Sequence, residues 1–343
     1  MMSNCVNQVH GERFWLLEGD TCELIRELPD NSVGSGGHSP PFSGMYTYTP
    51  SSRDIGNCRD MKELIRHYRY IIGELLRITL PGRSHWVHLT QEVTFRKNGE
   101  ESGLRDFRGA VIREYERAGW IYRGEVAIEK NPQMKAIRTH DNGLLFKTLA
   151  DDASEMHMCL NDYALQFRKP GQNPVPIRAG NSARYHNPTG WITDQDWINW
   201  ANGVWRRATE DFPHGIREVN VLNAAAAKEE GDERHVCPLQ LDVIHRWVML
   251  GTNPLDFSFR EAHADLRGIS DDLWRTGATF YTPFLGVGSE VYAAILAGRC
   301  GVGSELKHTY WAQAVKNCKR AESEVMTTRS LFAEMEAEEL VLT

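Results

Sequence analysis

Residues 278–306, ATFYTPFLGVGSEVYAAILAGRCGVGSEL, constrain the fold more than any other stretch of this chain. An apolar run stops at a Gly-x-Gly turn, an apolar helix follows, and a second short strand ends on Glu305. Two strands joined by one helix in so short a span read as a parallel crossover unit, because parallel strands need such a connection and a hairpin cannot supply it. Gly286 and Gly288 let backbone amides approach a bound group at the carboxyl edge of that sheet. A dinucleotide fingerprint requires a third glycine, G-x-G-x-x-G, which is missing here. Glu305 ends the next strand, where a carboxylate accepts from ribose hydroxyls, so the pair points to an adenosine-containing ligand. A tight turn followed by a surface glutamate is the competing reading.

The rest of the chain repeats the alternation. Residues 14–20 read as a buried strand, 21–28 as a helix ended by Pro29, and 61–80 as a longer amphipathic helix ended by Pro81-Gly82. Strands are expected at 84–90, 120–130 and 162–169, with a helix over 107–119 closed by Gly119. This is an α/β pattern with a largely parallel sheet. The rhythm fails over 131–234, a region rich in Asn, Pro, Trp and Arg apart from its one core strand, and returns at His235. The expected division is 12–130, 131–234, 235–320 with an insertion near 255–276, and a helical tail over 321–343. The chain has 343 residues, long enough for one large domain with an insertion, and a formal net charge of −7. That charge argues against coating nucleic acid by bulk attraction and leaves room for a local basic cleft. Seven scattered cysteines lack metal-ligand spacing, so reduced thiols and no metal are expected. No apolar run reaches the roughly 18 residues of a membrane span, and the amino terminus lacks a secretory pattern.

Ser39-Pro40-Pro41-Phe42 carries the chemistry. An exocyclic amino group on a nucleobase is a poor nucleophile, because its lone pair is delocalised into the ring. A side-chain oxygen and a rigidly held carbonyl, here Ser39 and Pro40, can accept its hydrogens and draw the nitrogen toward tetrahedral geometry. Phe42 can stack on a base that has left the duplex. A Pro-Pro loop packed on the core is the competing reading.

Taken in order, "GDTCELIRELPDNSV", "SPPF", "DERHVCPLQLDVIHRW" and "PFLGVGS…GRCGVGSEL" resemble the amino-methylating DNA methyltransferases. The likeness is to the permuted arrangement, catalytic half first, of phage- and bacterium-encoded members. It implies a Rossmann-like S-adenosylmethionine-dependent methyltransferase fold, with helices on both faces of the sheet and an inserted target-recognition region. It assigns Ser39, Pro40, Pro41 and Phe42 to the target base. Phe284, Gly286, Gly288 and Ser289 go to the methionine side of S-adenosyl-L-methionine, Glu305 to its ribose and Asp20 to its adenine. Pro238, Leu239 and Gln240 close over the methionine end. Arg138, Lys147, Arg184, Arg206 and Arg207 are the implied contacts to double-stranded DNA. The implied reaction is methyl transfer to a flipped-out base, with Ser39 leaning toward cytosine N4 over adenine N6. The implied setting is the cytoplasm of a bacterial cell; a homodimer and a cognate restriction enzyme stay open.

Three departures stand out. The family carries an acidic residue where this chain has Thr282, so weaker binding of the cofactor's ammonium is expected unless Asp271 or Asp272 of the insertion substitutes. The insertion itself is unusual. The strand before Ser39 reads Val33-Gly34-Ser35-Gly36-Gly37, where an apolar strand belongs. Either its neighbours hold it or the chain is a weakened relative that only binds DNA or cofactor. A nucleotide-dependent oxidoreductase is the alternative from another class, disfavoured by the missing glycine and by SPPF.

Overall fold

The βαβ unit anticipated over residues 278–306 lies near the centre of a sheet that has nine strands among the described residues. A computed structural model describes residues 3–41, 49–94, 103–139, 146–156, 158, 160–224, 227 and 238–341. The strands are β1 (Asn7–His10), β2 (Phe14–Glu18), β3 (Ser35–His38), β4 (Ser84–Leu89) and β5 (Ile121–Ile128). They continue with β6 (Asp162–Arg168), β7 (Val204–Trp205), β8 (Thr279–Thr282) and β9 (Cys300–Glu305). Their spatial order is β1-β2-β9-β8-β3-β4-β6-β5-β7. The five strands β2, β9, β8, β3 and β4 run parallel, and β6 is antiparallel to β4 and β5. The hairpin partner β1 and the short edge strand β7 carry too little pattern to be foreseen.

Helices cover both faces. α1 (Thr21–Glu27), α2 (Met61–Ile78) and α3 (Phe107–Arg117) pack on one side. α5 (Leu241–Gly251), α6 (Ser289–Leu296) and α7 (His308–Val341) pack on the other, while α4 (Pro132–Thr139) borders the sheet's carboxyl edge. α2 shows why these segments are helical. Asp60 caps it by accepting from the Glu63 amide, and Leu64, Tyr68, Ile71, Ile72, Leu75 and Ile78 form one buried stripe. The chain leaves β8 through α6 toward β9 and leaves β3 through α2 toward β4, in opposite directions along the sheet. Such a switch point opens a crevice outside the carboxyl ends of the two strands.

The glycine-rich strand is fully buried, and its glycines are a packing requirement. A Cβ on Gly37 would lie 2.6 Å from Cε3 of Trp247 in α5, and one on Gly36 would lie 2.6 Å from Nδ1 of His85. The bulk absent from β3 is supplied by an indole on one face and an imidazole on the other. Gly37→Val is therefore expected to destabilise the fold by about 1–3 kcal/mol through overpacking. A urea denaturation midpoint equal to that of the wild type would reject this account.

The insertion holds two helices, Phe257–Ala262 and Asp271–Gly277, and packs Phe259, Leu266 and Trp274 on Val175. It enters β8 at its amino end, so it lies on the sheet edge opposite the crevice. Residues 173–191 join it there: Arg83 donates to Asn173 Oδ1 (3.0 Å) and the Val175 carbonyl (2.7 Å), and Trp191 donates to the Met249 carbonyl (2.8 Å). The irregular middle region thus contributes to both edges. Among the described residues, no helix is long and apolar enough to cross a membrane.

Candidate active site

β3 delivers Ser39, Pro40 and Pro41 to the crevice directly after His38. His38 is locked from below: Nδ1 lies 2.9 Å from His85 Nε2, and Nε2 lies 2.5 Å from the Tyr68 hydroxyl. Ser39 Oγ is 2.8 Å from Nδ1 of His88, near the end of β4. The other ring nitrogen, Nε2, is 3.1 Å from Asp162 Oδ2, at the start of the antiparallel neighbour β6. Two ammoniums close the cluster, each 2.7 Å from Asp162: Lys130 on Oδ2 and Lys135, from α4, on Oδ1. Lys130 also donates to Gln240 Oε1 at 3.2 Å, tying this end to the segment before α5.

The charges are ordered by burial. Burial lowers the basicity of His88, and Lys130 and Lys135 oppose its protonation, against the pull of Asp162. Burial works against ionisation of Asp162 as well, yet Lys135 and Lys130 hold it well below the usual carboxylate range. An ionised carboxylate thus faces a neutral imidazole.

The second end of the crevice is the turn from β8 into α6. Gly286 adopts a left-handed backbone (φ 53°), and its N–H donates to Glu305 Oε2 at 2.7 Å. The Lys307 amide donates to Oε1 at 2.9 Å, so both oxygens of Glu305 are oriented by the backbone. Burial still raises Glu305 to about 7. Glu290, buried in the first turn of α6, is raised to about 8 by burial, with Glu305 adding to the effect. Thr21 donates to the Pro283 carbonyl and meets Ser304 Oγ at 2.7 Å, which fixes the turn against β9. Asp20 caps α1 through the Cys22 amide (2.9 Å).

One cavity of about 350 Å³ joins the two ends. Its lining includes Ser39, Pro40 and Pro41 together with Asp20, Pro238, Leu239 and Gln240, and also Phe284, Gly286, Ser289 and Glu305. Two expected residues do not line it. Thr282 is fully buried behind the wall, and Gly288 caps α6 with φ 92°, its Cβ position 3.0 Å from Ala314. Asp271 and Asp272 start a helix on the opposite edge, so neither substitutes for a carboxylate at 282; the lining carboxylate nearest in the chain is Glu290. Phe42 and the side chain of Arg138 lie outside the described residues.

The basic residues divide. The Arg207 amide donates to Glu129 Oε2 (2.9 Å), and the Arg206 guanidinium lies 4.9 Å over Phe212, both just beyond the carboxyl end of β5. Lys147 is exposed. Arg184 sits in the 173–191 segment, on the edge away from the cavity. His88, Asp162, Lys130, Lys135 and Glu290 were not singled out by sequence reasoning; the one available signal was a histidine closing the strand "SHWVHLT". Among the described residues, no group of three His, Cys, Asp or Glu is placed to hold a metal ion.

No protein-family model matches the chain, and no curated protein matches it. Solved structures do. TTHA0409 from Thermus thermophilus, proposed as a DNA modification methylase and solved with S-adenosyl-L-methionine, superposes with a TM-score of 0.57 at 18% identity. That match covers 92% of this chain and 96% of the other. PvuII DNA methyltransferase, cytosine-N4-specific, gives the same TM-score of 0.57 at 13% identity, covering 92% and 90%. At such identities the likeness bears on the fold. The chain has the Rossmann-like α/β fold of the S-adenosylmethionine-dependent methyltransferases.

Proposed function

We propose that this protein transfers a methyl group from S-adenosyl-L-methionine to the exocyclic amino group of a base extruded from double-stranded DNA, with cytosine N4 preferred. The observation that carries the reading is a single cavity with Ser39-Pro40 at one end and the Gly286 turn with Glu305 at the other. The residues fit the cofactor. Glu290 and Glu305 are acids that burial makes hard to ionise, and a ligand bearing sulfonium and ammonium charges relieves that cost. Glu305, held by two amides, can accept from ribose hydroxyls. The cofactor, when bound, supplies an electrophilic methyl group with a neutral thioether as leaving group.

The chain's own residues do the rest. Ser39 Oγ and the Pro40 carbonyl accept from the amino group, and Gln240, anchored on Lys130, orders the wall between the two ends. Preference for cytosine is supported by Ser39 and by the stated specificity of the PvuII enzyme. Arg206, Arg207 and Lys147 are the proposed phosphate contacts.

The deciding experiment incubates DNA with labelled cofactor and identifies the modified nucleoside by mass. N4-methylcytosine is expected; no label in DNA of any sequence would overturn the reading. Glu305→Ala is expected to weaken cofactor binding about 10- to 100-fold, because ribose hydroxyls would lose a charged acceptor. Unchanged affinity by calorimetric titration would remove this end of the cavity as the cofactor site.

A further inference from the structure

Ser39 hydrogen-bonds a histidine that is itself bonded to a buried carboxylate, and the directions of these bonds can be deduced. Asp162, ionised between Lys130 and Lys135, can only accept. The single hydrogen of a neutral His88 ring therefore sits on Nε2 and is donated to Asp162. Nδ1 is left bare, and at 2.8 Å it must accept the one hydrogen of Ser39. Ser39 Oγ then offers only lone pairs to the cavity. A serine free to rotate would present its hydrogen to the amino group in some orientations and its lone pairs in others.

We propose that His88, held by Asp162, fixes Ser39 as a pure acceptor and takes up, through Ser39, the proton that the methylated amino group must lose. The proposal rests on the methyltransferase reading and adds a route for the proton. After transfer, the amino nitrogen carries one proton in excess. Its N–H bond breaks as the proton bonds to Ser39 Oγ, and the proton already on Oγ moves to His88 Nδ1. The imidazolium keeps its Nε2–H on Asp162 and later releases the Nδ1 proton to solvent. His88 and Asp162 act through Ser39, so they are positioning and relay residues.

The groups facing His88 set its pH behaviour: Ser39 from the loop after β3, Asp162 from β6, Lys130 from the end of β5 and Lys135 from α4. Burial disfavours the imidazolium most, and the two ammoniums work against the pull of Asp162. Protonation of His88 in the resting protein reverses the Ser39 bond, so turnover should fall in a limb below the ordinary histidine value of about 6.5.

Nitrogen-15 NMR of the imidazoles in the ligand-free wild-type protein tests the bond directions without any activity. At neutral pH the His88 ring is expected as the Nε2–H tautomer; an imidazolium or an Nδ1–H tautomer overturns the proposal. In turnover assays His88→Phe should lose on the order of 100- to 10,000-fold in kcat with cofactor affinity retained. His88→Asn, whose amide oxygen can accept from Ser39, should recover part of that loss and lack the acid limb. A wild-type protein that methylates DNA while His88→Phe matches its rate overturns the relay alone. A wild-type protein that transfers no methyl group removes the reading and the relay together.

Discussion

Replacing Ser39 by alanine is expected to slow methyl transfer roughly 100- to 1,000-fold while leaving cofactor affinity almost unchanged. The size follows from removing one oriented polar group that acts on charge developing in the transition state, about 3–4 kcal/mol of barrier. The selectivity follows from position. Ser39 hangs from the end of β3 and bonds His88, whereas the cofactor end is built from β8, α6 and the end of β9. Alanine at 39 also leaves His88 Nδ1 without a partner in a buried cluster, so a small loss of stability should accompany the loss of turnover. Single-turnover rates and calorimetric titration, run on the same preparation, separate the two ends. A variant with wild-type single-turnover rate would take Ser39 out of the chemistry. A variant that loses cofactor affinity in proportion to rate would mean that the hydroxyl touches the cofactor.

What the sequence could reveal follows from the range of each interaction. The βαβ unit over 278–306 was legible because its turn, helix and strand end are local and each has its own residue signal. Ser39-Pro40-Pro41, which lines the cavity, could be picked out as a candidate because its residues are contiguous. The relay was not: residues 39, 88 and 162 meet only because β6 enters the sheet antiparallel, placing Asp162 beyond the end of β4. Nothing in the periodicity of either strand reports that register. β3 was misleading for a related reason, since strand propensity cannot see that Trp247, more than two hundred positions away, fills the space over Gly37. With that space accounted for, the glycines give no ground for a weakened relative. Thr282 shows the limit of carrying a role by position, because it is fully buried and does not line the cavity. Arg184 shows the limit of composition: it belongs to the irregular, Arg-containing middle region, but its segment is bonded to the insertion through Arg178 and Thr189, on the edge away from the cavity.

Glu290 should make the ligand-free protein less stable as pH rises, and Glu290→Gln should remove much of that loss. The sign follows from linkage. An unfolded glutamate titrates near 4.5, whereas burial in the first turn of α6 raises Glu290 to about 8. Between those values the folded protein holds a proton that the unfolded chain has released, so stability declines from about pH 4.5 and goes on declining through about 8. The full swing, roughly 1.4 kcal/mol for each pH unit of that window, is on the order of 3–5 kcal/mol, a large share of an ordinary folding free energy. Glu305, raised to about 7, acts in the same direction over the lower part of the window. His85 and His88 act oppositely, because burial depresses both and their contribution is lost as pH falls below about 6.5. The informative quantity is therefore the difference between wild type and Glu290→Gln at each pH, in which the histidines and Glu305 largely cancel. That difference should be small near pH 5 and should favour the variant increasingly toward pH 8, read from thermal unfolding midpoints. A cationic ligand should reverse the preference, since it stabilises the ionised carboxylate that the bare cavity disfavours. Calorimetry of S-adenosyl-L-methionine in buffers of different ionisation enthalpy should then show proton release on binding at pH 6–7 for wild type and less for the variant. Equal proton release from the two proteins would mean that the Glu290 carboxyl does not face the cofactor's charge.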